Sequence, residues 1–488
     1  MPNLSGRRLD PAPGTDQTAP GWVVQALRQE IIGVADGAYL GSEAELLVRL
    51  GVSSPTLRQA ARLLEQQQLL KVERGNRGGY FARRPDAGAT TRAAASYLEA
   101  CETPIAQVRA TSRPLMIEAA RLAAGSSDPD RRAGFLAALN AFKALAPNAD
   151  CETLLQRDRA LVGQLLRLAG NPAIELFLLV IYRLGRLNEP RLRMFRSQPD
   201  HVGTWRSHIA RFGDAVMEGD RNLAALFARR GLDLTNEWMM AFEAATPPSS
   251  RVDARQRLWS PAPSRTSAAQ GAADALRDAI LAQPPGAFLG AEDDLVGRLG
   301  VSRHTLRQAA AMAQHDGLLE IRRGVNGGYV GRRPDIDHVV DAAALYLELN
   351  HATLRHLMGA SQSLAAEACH LAAANVAAGS VEPLQRAAAR MAAVTDTGPE
   401  PGQALLRAEG RMMDAILDLA GNRPIQLFVR SLYRYGGMID QPVLAGGERV
   451  LRWRAARLRL AEALLEGDGE AAAVICDRVD SLLDEWLD

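Results

Sequence analysis

Apolar residues early in the chain recur every three or four positions. Val23, Val24, Leu27 and Ile31 fall on one helical face. A turn containing Gly37 follows, and Ser42-Glu43-Ala44-Glu45 has the form of a capping box that opens a second helix. Gly51 ends that helix. Ser53 is placed to cap a third helix, from about Pro55 to Gln67, whose buried face carries Leu57, Ala60, Ala61 and Leu64. The period then changes from helical to alternating in LLKVERG and GGYFARR, two short runs joined through Asn76-Arg77-Gly78, which predicts a β-hairpin. Three helices with a tight helix–Gly–helix joint and a hairpin predict a winged helix-turn-helix.

The whole pattern occurs twice. VSSPTLRQAA at Val52–Ala61 returns as VSRHTLRQAA at Val301–Ala310, and Leu40–Pro85 aligns with Leu289–Pro334 without a gap, at about half-identity. The stretches behind each block are rich in Ala, Leu and Arg with helical periodicity. They align too, RLAGNPAIELF around Asn171 with DLAGNRPIQLF around Asn422. One feature is lost between copies: Ala291 stands where Ser42 stood. The expected fold class is mainly α, with two winged helix-turn-helix domains each followed by an all-α helical-bundle domain. The boundaries read as a flexible tail (1–20), winged domain (21–86), helical domain (87–245), Pro- and Ser-rich linker (246–268), second winged domain (269–335) and second helical domain (336–488).

Composition narrows the function. A chain of 488 residues holds several domains, and no apolar run is long enough to span a bilayer. The N-terminus has no signal-peptide pattern. Cys101, Cys151, Cys369 and Cys476 are scattered, as in reduced core thiols, so a cytoplasmic location is expected. The net charge is +1, so any attraction to nucleic acid must come from local patches. Lysine occurs only at Lys71 and Lys143, and the cationic chemistry is arginine's. No Walker A, HExxH, GxSxG or post-strand GxGxxG is present, so neither an enzyme nor a cofactor is expected.

The repeated phrase supplies the candidate chemistry. A recognition helix presents its N-terminal turns to base edges, and its first N–H groups can hold a phosphate. The candidate DNA-binding residues are therefore Ser53, Ser54, Thr56, Arg58 and Gln59 in the first copy. In the second they are Ser302, Arg303, His304, Thr305, Arg307 and Gln308. Arg303 suits a guanine edge; Arg58 and Arg307 suit phosphates. At the wings stand Arg74, Arg77, Arg322, Arg323 and Asn326, around glycines that permit close backbone approach to a groove. Double-stranded DNA is the expected partner.

VSRHTLRQA followed by RRGVNGGYV makes the chain resemble the GntR-type bacterial transcription regulators, and its helical stretches resemble the effector domains of the FadR subfamily. The resemblance covers most of the chain and implies a regulator that acts as a dimer on a palindromic operator and answers to a small metabolite. The pattern departs from the family in two places. Ala44 and Asp293 stand where the family has a DNA-contacting Arg, and Ser54 replaces the Arg kept at Arg303, so the two copies are not expected to read the same half-site.

The resemblance also implies a metal set of one Asp and three His in many effector domains. Here the first copy reads Asp158, Val162, Ile209 and Gly231, with His208 one residue out of place and so turned by about 100°. The second reads Glu409, Met413, Arg457 and Val479. No metal is expected in either. Arg113 and Asp158 are the candidate effector-binding residues, for an organic acid or apolar metabolite; Gln362 replaces Arg113 in the second copy.

Fusing two units makes dimerisation intramolecular, so the expected assembly is a pseudo-dimeric monomer or a homodimer. The competing reading is an interaction protein that kept this architecture but lost effector or specific DNA binding. A pyridoxal-phosphate branch of the family needs a Schiff-base lysine, and none follows Lys143.

Overall fold

A computed structural model describes residues 19–66, 69–73, 75, 78–83, 87–184, 188–245, 268–322, 324, 327–395, 401–437 and 448–487. The first winged domain is built from α1 (Ala19–Ile32), β1 (Tyr39–Gly41), α2 (Glu43–Leu50), α3 (Ser54–Gln66), β2 (Leu70–Glu73) and β3 (Gly79–Ala82). Its sheet has the order β1-β3-β2, antiparallel throughout, with Val72 opposite Tyr80 across the hairpin. The second winged domain repeats it with α12 (Ala268–Leu281), β4 (Phe288–Gly290), α13 (Glu292–Leu299), α14 (Arg303–His315), β5 (Leu319–Arg322) and β6 (Gly328–Gly331), again ordered β4-β6-β5.

The helices and hairpin lie where periodicity places them, and the expected face is buried: Leu57, Ala60 and Leu64 have no exposed surface. Strands β1 and β4 were not expected. Each is three residues long, pairs through an irregular register, and starts on an exposed aromatic, Tyr39 or Phe288, so neither carries an alternating pattern. Gly51 and Gly300 close α2 and α13 at φ 64°, the left-handed geometry that the helix-turn-helix joint requires.

Ser42 caps α2 as a full box. Its Oγ accepts from the Glu45 amide at 3.2 Å, and Glu45 Oε2 accepts from the Ser42 amide at 2.7 Å. Ala291 offers no acceptor, and only the return bond to Asp294, 3.1 Å, remains. Replacing Ser42 by Ala is expected to destabilise the first winged domain by about 1 kcal/mol, and Ala291→Ser to stabilise the second comparably. Urea midpoints of the two variants against wild type check both.

The first helical domain runs through α4 (Ala87–Ala100), α5 (Ile105–Ala124), α6 (Pro129–Lys143), α7 (Cys151–Ala169), α8 (Pro172–Arg183), α9 (Asn188–Ser197), α10 (Pro199–Glu218) and α11 (Arg221–Ala245). The second runs through α15 (Ile336–Leu349), α16 (Leu354–Asn375), α17 (Glu382–Ala392), α18 (Pro401–Ala420), α19 (Arg423–Gly436), α20 (Glu448–Leu465) and α21 (Gly469–Leu487). Contacts divide the chain into two compact units. One comprises the first winged domain up to Thr90 with Leu345–His351, and the other Thr91–Ala344 with the chain from Ala352 onward.

Each winged domain therefore packs on the opposite copy's leading helix. In the first unit Leu345 and Leu349 of α15 join the core of Val23, Leu27, Ile31 and Leu64, and Arg28 Nε donates to Glu348 at 2.8 Å. In the second unit Arg277 of α12 stands 3.8 Å from Glu99 of α4. Arg277 and Glu99 occupy the repeat positions of Arg28 and Glu348.

The two helical domains pack together inside the second unit, α5 against α16 and α8 against α16. Phe177 of α8 stacks on its counterpart Phe428 of α19, with centroids 4.2 Å apart and planes 9° apart. Asn171 Nδ2 donates to the His356 carbonyl at 2.9 Å, and its counterpart Asn422 donates to the Gln107 carbonyl at 3.3 Å. Gln107 and His356 are themselves repeat-related. One contact made twice, in both directions, is the signature of a two-fold interface.

Candidate nucleic-acid interface

The N-terminal turns of α3 and α14 present the expected polar residues. Ser302 caps α14, its Oγ accepting from the Thr305 amide at 3.1 Å; Ser53 does the same for Thr56 at 3.4 Å. Arg58, Gln59, Arg303, His304, Arg307 and Gln308 are exposed, while Ser54, Thr56 and Thr305 are half-buried. The opposite face of each helix is spent on the core, so the sequence leaves these side chains nowhere to point but outward.

The arginines are paired with carboxylates of the preceding helix. Arg303 Nη2 donates to Asp293 at 2.8 Å, Arg307 Nε to Glu292 at 2.9 Å, and Arg58 Nε to Glu43 at 3.0 Å. Ser54 Oγ also donates to Glu43, at 2.5 Å. These bonds hold the Glu43 carboxyl below its ordinary range, Ser54 first and Arg58 second. Glu292 raises the already high pKa of Arg307. All three guanidiniums remain largely in water, where an ion pair contributes little and exchanges readily for a phosphate. The carboxylates thus orient the arginines without sequestering them. Sequence spacing gave no sign of these partners, because they lie on a different helix.

Asp293 is the unfavourable member of the set, because it brings a negative charge to the position where Arg303 would meet DNA. Asp293→Asn is expected to tighten duplex binding about two- to fivefold, the scale of one exposed ion pair. Fluorescence anisotropy at fixed salt measures this.

At the second wing Arg322 is exposed and pairs with Glu320 at 3.2 Å. Arg332 and then Arg322 hold the Glu320 carboxyl low. Arg74, Arg77, Arg323 and Asn326 lie outside the described residues. A side chain at Gly79 or Gly328 would collide with the Tyr39 or Phe288 ring. The close approach they permit is to the protein's own aromatic.

In the helical domains Arg113 forms a two-pronged pair with Asp233, Nε to Oδ1 at 2.9 Å and Nη2 to Oδ2 at 3.0 Å. A carboxylate of the chain therefore occupies its fork. Asp158 is buried on α7. His208 is half-buried, its Nε2 2.8 Å from the Phe227 carbonyl, and burial lowers its pKa. The residues aligned with the family's metal set do not fit a divalent cation. In the first copy Val162, Ile209 and Gly231 have no ligand atom. In the second a cation is already built in: Arg457, 2 % exposed, sets Nε 2.9 Å from Glu409 Oε2 and Nη2 2.5 Å from Oε1. Trp453 Nε1 and Tyr433 Oη complete the carboxylate's shell at 3.0 and 3.2 Å.

Comparison with known proteins identifies the two kinds of domain in the chain. The family model described as bacterial regulatory proteins of the gntR family matches residues 21–79 and 268–328, covering both winged domains. The FCD domain model matches 111–233 and 356–479, over half of the chain. A stretch of 103 residues is 40% identical to an uncharacterized HTH-type transcriptional regulator of Mycobacterium tuberculosis, covering 21% of this chain and 41% of that relative. Among solved structures, Streptococcus agalactiae GntR is similar at 19% identity and a TM-score of 0.30, over 46% of this chain and 100% of that one. E. coli McbR/YncC is similar at 15% identity and a TM-score of 0.25, over 46% and 98%. No helix among the described residues is long and apolar enough to cross a membrane. The family is one of regulators, not of enzymes, and this chain, with its winged and FCD domains in tandem, belongs to the GntR family of helix-turn-helix transcription regulators.

Proposed function

We propose that one chain acts as an internal pseudo-dimer on a two-part operator, as a ligand-responsive repressor of the cytoplasm. The observation that carries this reading is the reciprocal interface, with Phe177 on Phe428 and the Asn171 and Asn422 bonds repeated in both directions. A homodimeric relative needs two chains to make such an interface, and here two parts of one chain make it. Two readers follow on one polypeptide, and they differ: Arg303 is available to a base edge in the second copy, where the first has Ser54 bonded to Glu43. The second copy is the base-specific reader, and the first binds through backbone and wing contacts. The effector is a small organic acid or apolar metabolite held within a helical bundle, with Asp158 of the first copy as a candidate contact. Arg113, closed by Asp233, takes part only if a ligand carboxylate displaces that partner.

Selection from a random duplex library tests the reading. The expected result is a site with two unlike halves about one helical turn apart, bound less tightly as salt rises through counterion release. Arg303→Ala then relaxes one half only, at a cost of about 1–3 kcal/mol at that base. Symmetric half-sites, or salt-insensitive binding with no enriched sequence, would contradict it.

A further inference from the structure

The two winged domains are seated on different chemistry. The first rests on leucines, Leu345 and Leu349, with one well-formed ion pair. At the repeat position of Leu345 the second seat has Ser96, and around it charged groups are buried. Asp316, at the C-terminal cap of α14, is 6 % exposed, and its Oδ1 has no hydrogen-bond partner. Ser96 Oγ and Arg92 Nε of α4 are likewise buried without one. These atoms border a cavity of about 10 Å³, also lined by Asp274 and Arg277 of α12, at the lower limit for one water molecule.

Four charged groups act on Asp316, and one of them, Arg277, in turn faces Glu99 of α4 and Asp278 of its own helix. Arg92 belongs to α4, Arg183 to α8, and Arg277 with Asp274 to α12. Burial outweighs the three arginines and pushes the Asp316 carboxyl up to about 6. A carboxylate at a helix C-terminus also meets the negative end of the dipole, which acts in the same direction. In the sequence of the first copy the repeat positions of Asp316 and Asp274 are Gln67 and Gln25.

We propose that this junction is a proton-operated latch: with Asp316 protonated the second winged domain is held on helix α4 of the first helical domain, and ionisation of Asp316 loosens it, while the apolar seat of the first winged domain does not respond. The sign follows from linkage. A carboxyl whose pKa is raised when docked favours docking fully below its free value, and that contribution is lost as pH rises through about 6. The more base-specific reader is then the one freed as pH rises, and its tether belongs to the other copy's effector domain.

Amide exchange of the full chain, corrected for intrinsic rates and followed from about pH 5 to about pH 8, tests this independently of DNA binding. Opening of α4 and of the last turn of α14 is expected to rise about tenfold across that range, while α1 and the end of α15 do not follow. Asp316→Asn, neutral at every pH, is expected to abolish the rise. Equal pH dependence at both seats in the wild type, or a rise that survives in Asp316→Asn, would overturn the latch.

Discussion

Replacing Phe428 by alanine is expected to cost about 3–5 kcal/mol, the scale for a fully buried ring truncated in a packed core. The ring is 1 % exposed and lies flat on Phe177, which is equally buried. Truncation removes its transfer free energy and leaves a cavity that Phe177 cannot fill, because that ring is fixed by its own side of the interface. Phe428→Leu should cost far less, since most of the volume remains. Urea-unfolding midpoints give the ranking. Phe177→Ala should match Phe428→Ala closely, as the pseudo-two-fold relation requires. The double variant should cost less than the sum, because the two rings share one contact. Additive losses would mean that the stacking contributes nothing beyond burial.

Arg457→Ala is the second large effect, also about 3–5 kcal/mol, for a different reason. Removing the guanidinium leaves Glu409 buried with Trp453 and Tyr433 as its remaining donors among the described residues. A carboxylate stripped of its counter-charge in a dry site is an uncompensated buried charge, which is the source of the cost. The paired replacement Glu409→Leu with Arg457→Met removes both charges and should recover most of the loss. Thermal denaturation of the single and the paired variant against wild type separates lost packing from the stranded charge, which only the single variant carries.

Much of this was legible in the sequence because it is local. The capping box at Ser42, the left-handed Gly51 and the outward face of Ser54–Gln59 are each fixed by residues within a few positions of one another. Strands β1 and β4 were not, since three residues beside an irregular pairing carry no periodicity. The crossed seats were not either: Arg28 meets Glu348 and Arg277 meets Glu99, each on a helix of the other copy far away in the chain, and nothing in either helix marks the partner. Asp316 reads in sequence as an ordinary residue at a helix end, and only the fold buries it under three arginines. Arg457 was visible as a break in the family's metal pattern. That its guanidinium would sit on Glu409 needed α18 and α20 to be packed together. Asp293 likewise showed as a missing arginine, and only the structure shows it holding Arg303.

The central claim is that one chain supplies both halves of an operator-reading dimer. Native mass spectrometry of the full chain on its selected duplex tests it most directly. One chain per duplex is expected, with both half-sites occupied, and the same stoichiometry after Arg303→Ala. Two chains on each duplex would contradict it.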